Sequence, residues 1–194
     1  MTYDNFFASV IGFEDNLEHK KTNDLVIKKC YELENLKSGD SGWVKKTYTT
    51  INSHNICKDK TFKKINEFVA NAVKNYCLIN SYDSKKIQTV PTEGWLNIYK
   101  KGDSQEYHTH SRSVISAVYF LKLPKHSSKL YFKPPFVDMI EPDIIEPTFN
   151  NMSLIEINPK EGSVIVFRSY LPHMVSQHNN KQERISLAYN FYNV

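Results

Sequence analysis

The sequence predicts an α+β fold, mainly β, in which helices from the first ninety residues support a sandwich or jelly roll of short strands. Three observations predict it. The 194-residue chain is 40% hydrophobic, with twelve tyrosines and eleven phenylalanines, which suits a folded globule rather than a disordered chain. Apolar residues recur at helical spacing before about residue 90. After Pro91 the pattern changes to short runs of aromatic and β-branched residues separated by turn formers. This length fits one domain, residues 1–194, with 1–90 a mostly helical supporting segment and 91–194 a β core.

The first helix is expected from Asn23 to about Lys37, where Leu25, Val26, Cys30, Leu33 and Leu36 are helically spaced. Asn23 or Asp24 is a candidate N-cap. The cluster Ser38-Gly39-Asp40-Ser41-Gly42 ends it. In the second helix Ile65, Phe68, Val69, Ala72, Val73 and Tyr76 form one apolar stripe, while Lys63, Lys64, Asn66, Glu67, Asn71 and Lys74 face away. Strands are expected at Trp95–Tyr99, Val114–Leu123, Lys129–Phe132, Ser153–Ile157, Ser163–Phe167 and Arg184–Tyr192. Between them, Lys133–Asn151 holds four prolines and little periodicity, and reads as a long loop. It is either a substrate lid or a variable surface insertion.

A net charge of +4 is mild, and its lysine pairs, such as Lys20-Lys21 and Lys63-Lys64, are scattered as on a solvated face. No nucleic-acid partner is expected. The cysteines Cys30, Cys57 and Cys77 match no zinc-finger or redox-pair spacing and read as reduced core thiols. Met1 to Phe7 lacks a basic start followed by an apolar stretch, and no uncharged run approaches the ~20 residues of a membrane span. The expected location is a reducing cytoplasm.

Chemistry concentrates in Tyr107-His108-Thr109-His110, with His173 and Arg184-Ile185-Ser186 downstream. Residues i and i+2 of an extended segment point the same way, so His108 and His110 can converge on one ion. His173 must arrive from elsewhere. Neutral imidazole suits iron, zinc, copper or nickel, and two histidines with one carboxylate and open positions mark non-haem Fe(II) oxygenases. Here a histidine, His110, stands where that carboxylate is expected. Either all three histidines ligate, or two do with water in the third place, or no functional metal is held. His19, His54, His126 and His178 are assigned no function.

The succession Trp95-Leu96-Asn97-Ile98-Tyr99, Lys101-Gly102-Asp103, His108-Thr109-His110, Ser116-Ala117-Val118-Tyr119-Phe120, Gly162-Ser163-Val164-Ile165-Val166-Phe167, Leu171-Pro172-His173 and Arg184-Ile185-Ser186 resembles the 2-oxoglutarate and Fe(II)-dependent oxygenases of bacteria and phages. It also resembles, distantly, the prolyl hydroxylases. The similarity runs from about residue 91 to the C-terminus, and Ser41-Gly42-Trp43 resembles a short upstream motif of the same family. The resemblance implies a double-stranded β-helix (jelly roll, cupin-like) over 91–194, with His108, His110 and His173 holding Fe(II). His173 lies 63 residues after His110, and Arg184 follows 11 residues later, about where the family places an arginine on the distal carboxylate of 2-oxoglutarate. A guanidinium offers the two-pronged donor set that a carboxylate requires. Ser186 would add a hydroxyl, with Asn190 on the same face. Tyr99 and Asn97 are further candidates for cosubstrate contact. Ser116, Val118 and Phe120 would line the pocket, although Phe120 stands where some prolyl hydroxylases use a tyrosine.

The implied function is an Fe(II)- and 2-oxoglutarate-dependent oxygenase, a hydroxylase that couples decarboxylation of the cosubstrate to succinate with O2-driven hydroxylation of a C–H bond. Ascorbate would help in vitro. The substrate, a protein or peptide side chain or a small molecule, is not specified by the fold. Tyr107, Phe136 and Tyr170 either line a substrate groove or simply pack. Two alternatives stay open: a cupin-like, non-oxidative metal-binding protein with a three-histidine site, and a non-enzymatic accessory protein that retains the fold.

Overall fold

A computed structural model describes residue 2 and residues 8–36, 47–136, 142–148 and 150–194. The helix-ending cluster at 38–42, the Ser41-Gly42-Trp43 motif and the Met1–Phe7 start, residue 2 apart, lie outside the described residues. The elements run β1 (Ile11–Asp15), α1 (His19–Asn35), β2 (Tyr48–Thr49), two 3-10 turns (Ile56–Lys58 and Lys60–Phe62), α2 (Lys63–Ile79), β3 (Glu93–Tyr99), β4 (Gln105–His108), β5 (Ile115–Lys122), β6 (Leu130–Phe132), β7 (Ile155–Ile157), β8 (Ser163–Arg168), β9 (His173–Val175) and β10 (Arg184–Phe191).

The strands form two antiparallel sheets, and this corrects the expected double-stranded β-helix or jelly roll. The larger sheet has the order β1-β8-β5-β10-β3-β2 and the smaller the order β4-β9-β6-β7. Neither closes on itself: among the described residues β1 and β2 end one sheet, β4 and β7 end the other, and no ladder joins them into a barrel. The arrangement is a helix layer, a central sheet and a smaller sheet. The physical reason is that the central sheet is buried on both faces by separate layers, so it needs no closure to hide its apolar surface.

Alternation along each central strand sorts residues between those layers. In β5, Ile115, Ala117, Tyr119 and Leu121 join a core with Val26, Cys30, Leu33, Ile65, Val69 and Val73 of the helices. Phe120 and Val118 turn instead towards the small sheet, where Phe132, Leu130, Val175, Ile165 and Phe167 form a second core. In β10, Ile185, Leu187, Tyr189 and Phe191 face the helices. That leaves Arg184, Ser186, Ala188 and Asn190 for the opposite face.

The second helix carries the apolar stripe expected of it, with Ile65, Val69, Val73 and Cys77 fully buried. Each such side chain contributes about 1.5–3 kcal/mol when removed from water. The first helix begins four residues before the expected Asn23, and no side chain caps its N-terminus. Asn23 lies within the helix, buried, because its amide donates to the Leu121 carbonyl at 2.9 Å and accepts from the Tyr119 hydroxyl at 3.0 Å. It ties α1 to β5 rather than starting the helix. The three cysteines are free thiols, with Cys30 and Cys77 buried. No helix among the described residues is long and apolar enough to cross a membrane.

At the turn into β8, Gly162 adopts φ +81°. A Cβ there would lie 2.3 Å from His19 Cγ. The Gly162 carbonyl also accepts from the Asn16 amide and its N–H donates to the Phe120 carbonyl, so three elements meet on a backbone that only glycine fits.

Candidate metal centre

β4 and β9 pair so that His108 lies directly opposite His173. The chain leaves β4 after His108, and the His110 amide donates to the Ser169 carbonyl at 2.9 Å, which fixes the third histidine beside the other two. One ligand atom from each of the three histidines falls within 4.8 Å of the others. His110 Nε2 and His173 Nε2 are 3.3 Å apart. Two nitrogens each ~2.0–2.1 Å from a shared ion lie at about that separation.

The other nitrogen of each ring is held. His108 Nδ1 meets the Glu106 carbonyl at 2.8 Å, His173 Nδ1 the Leu171 carbonyl at 2.9 Å, and His110 Nδ1 the Asn190 side-chain oxygen at 2.7 Å. A carbonyl oxygen only accepts, so each Nδ1 carries the proton and each Nε2 presents its lone pair to the common centre. Burial lowers the pKa of all three, His110 to about 4, and their mutual repulsion adds to the effect at His110 and His173. The rings are therefore neutral near pH 7, as metal ligation requires.

Arg184 opens into the same cavity, which is lined by the three histidines, Trp95, Asn97, Tyr99, Gln105 and Ser186. Its side chain is 1% exposed. The guanidinium carbon lies 4.6 Å from the Tyr99 ring centre and 5.5 Å from that of Phe120. Its Nε and Nη1 have no hydrogen-bond partner among the described residues. Nor does it form an ion pair with Glu183, which instead lies 3.9 Å from Lys100 Nζ. A buried cation without a counter-charge costs several kcal/mol, a cost that an anion in the cavity would offset.

The model of the family described as "Putative 2OG-Fe(II) oxygenase" matches residues 93–190, just over half of the chain. The chain belongs to this family. No curated protein matches the sequence. Among solved structures, a Pseudomonas putida prolyl-4-hydroxylase is similar at 15% identity and TM-score 0.60, over 94% of this chain and 93% of that one. The viral collagen prolyl hydroxylase of Paramecium Bursaria Chlorella virus-1, in its 2OG complex, is similar at 14% identity and TM-score 0.59, over 95% and 96%. The non-heme alpha ketoglutarate dependent epimerase SnoN of nogalamycin biosynthesis reaches TM-score 0.69 at 8% identity, over 95% and 76%. At these identities the likeness is one of fold.

Within this 2OG-Fe(II) oxygenase family member, the sequence-derived candidates divide. His108, His110, His173, Arg184, Ser186, Tyr99 and Asn97 all line one cavity. Ser116 and Asn190 instead stand behind His110, where the Ser116 hydroxyl donates to Asn190 Oδ1 at 3.0 Å and meets Ser169 Oγ at 2.8 Å. The Tyr99 hydroxyl donates to Gln105 Oε1 at 3.0 Å. Trp95 and Gln105 are cavity residues that sequence reasoning passed over. Trp95 stacks on His110 at 5.7 Å, and its indole N–H, like Asn97 Oδ1, has no partner among the described residues. Its position at i−2 from Asn97 on a strand was the available signal. Of the other histidines, His178 is fully buried and clips a turn, accepting from the Ser128 amide and donating to the Gln182 carbonyl. Tyr107, Phe136 and Tyr170 are each more than a third exposed. In the 133–151 loop no strand or helix occurs among the described residues, and positions 137–141 and 149 lie outside them.

Proposed function

We propose that the protein is an Fe(II)- and 2-oxoglutarate-dependent oxygenase that hydroxylates a C–H bond of its substrate. The observation that carries this reading is the buried Arg184, with two unpartnered guanidinium nitrogens, in the cavity of three histidine Nε2 atoms. The donor set fits the cofactors: three neutral nitrogens for a divalent ion, and a planar cation for a carboxylate. When bound, Fe(II) with 2-oxoglutarate and O2 supplies the oxidation, placing one oxygen atom in the substrate and the other in succinate as CO2 leaves.

The chain's own part is to bind, orient and exclude water. His108, His110 and His173 would hold the ion through their Nε2 atoms. Arg184 takes the far carboxylate of the cosubstrate through paired N–H donors, and the Ser186 hydroxyl adds another. The Tyr99 and Phe120 rings flank the guanidinium and keep it dry, which strengthens its hold on an anion. Val118, Leu130, Val175 and Ala188 complete an apolar wall.

A second reading has its own support. The three-histidine cluster contains no carboxylate and equally suits zinc or another divalent ion in a non-oxidative metal-binding protein. Anaerobic titration separates the two. Fe(II) followed by 2-oxoglutarate should give a visible charge-transfer band, and air with ascorbate should then yield succinate. Metal binding without any response to 2-oxoglutarate would establish the second reading and overturn the first.

A further inference from the structure

The candidate ligands are all neutral, yet a carboxylate stands one residue behind them. Glu93 Oε2 accepts from Asn190 Nδ2 at 2.9 Å and from the Tyr192 hydroxyl. That contact decides which way the Asn190 amide points, since turning it over would set its oxygen against the carboxylate. So oriented, Asn190 Oδ1 faces His110 Nδ1 at 2.7 Å and can only accept. His110 must then carry its proton on Nδ1 and direct Nε2 to the ion. Trp95, stacked on the ring at an interplanar angle of 23°, fixes its plane. The Nδ1 atoms of His108 and His173 rest instead on the main-chain carbonyls of Glu106 and Leu171.

Resting on the three-histidine reading, we infer that Glu93 and Asn190 are a positioning pair for His110. The pair sets the tautomer and lends the ring, through one amide, part of the negative charge that a carboxylate ligand would bring directly. Hydrogen bonding to an anion-backed acceptor raises the basicity of the far nitrogen, so the effect is read in metal affinity. Neither residue touches the ion.

The test is Co(II) titration of the full chain, following the dissociation constant and the visible ligand-field bands. Asn190→Ala should weaken Co(II) about 10- to 100-fold and shift the bands, and Glu93→Gln should weaken it by a smaller factor. The double variant Glu93→Gln/Asn190→Asp puts the carboxylate beside His110, with an amide behind it. It should bind within about threefold of the unsubstituted chain, a rescue that a merely structural role does not produce. Asn190→Ala binding within about threefold of the unsubstituted chain would overturn the inference, and so would a double variant as weak as Glu93→Gln alone or weaker. If Asn190→Ala fails to fold, as judged by thermal unfolding without metal, the comparison of the double variant with Glu93→Gln decides. Should the unsubstituted chain not bind Co(II) at all, the metal reading itself falls and this inference with it. Binding that Asn190 and Glu93 do not influence sinks the inference alone.

Discussion

At Arg184 the two demands on the molecule oppose each other. A fully buried guanidinium with Nε and Nη1 unpartnered among the described residues destabilises the fold, yet those open donors are what a dicarboxylate would recognise. Arg184→Met should therefore raise the stability of the ligand-free protein by about 1–4 kcal/mol in urea denaturation. In calorimetry it should weaken 2-oxoglutarate binding by at least about 2 kcal/mol, roughly thirtyfold, without loss of metal. A ligand-free protein that becomes less stable would show the guanidinium to be satisfied in the fold. The Arg-x-Ser spacing was legible in the sequence because β10 places residues 184 and 186 on one face. What the spacing left open was whether Arg184 pairs with Glu183 or lies buried and bare, since that depends on which layer covers the strand.

Among the elements, length explains legibility only in part, since the three-residue β6 and β7 were expected within two residues of where they lie. The long α2 stripe could be read from periodicity, and the eight-residue β5 and β10 were placed within one residue of their observed ends. β1 and β2, along with the histidine-bearing β4 and β9, all of two to five residues, were not expected as strands. The first helix shows a different failure. Asn23 looks like a cap in sequence, but as a buried tie to Leu121 and Tyr119 it serves packing. Asn23→Ala should cost about 2–4 kcal/mol by leaving two buried groups short of a partner, whereas Asp24→Ala, on the exposed side, should stay within ~0.5 kcal/mol. Equal effects in denaturation would return the cap to this pair. Gly162→Ala should cost at least about 2 kcal/mol, from positive φ together with the clash on His19. Adding His19→Ala removes the ring but leaves its Cβ, itself 2.6 Å from the added carbon, so it should recover only part of the cost, and full recovery would show that φ carries no penalty.

For the whole molecule, the sequence predicted the layers' composition but not their closure. Short, doubly buried strands look alike whether their sheets join at the corners or stay open, and only strand pairing distinguishes them. The open arrangement brings β4 and β9 of the small sheet over the face of β3 and β10, so the centre depends on two sheets staying in register. A bound ion would clamp them. At about 100 times its dissociation constant, a metal that binds only the folded chain adds roughly 2.7 kcal/mol, which for a chain of this size raises Tm by about 5–10 °C. His173→Ala should abolish the rise in a thermal scan with Co(II), and a rise that survives would place the ion elsewhere.

The three imidazoles are steadied in unequal ways. Glu106 and Leu171 lend only their main-chain carbonyls, which no substitution at those positions removes, whereas Asn190 lends a side chain. Position 190 is thus the adjustable screw of the centre. A change of one codon there would alter the support of one imidazole while the other two keep theirs, and if the three hold an ion it would give mutation a route to a different metal without rebuilding the site.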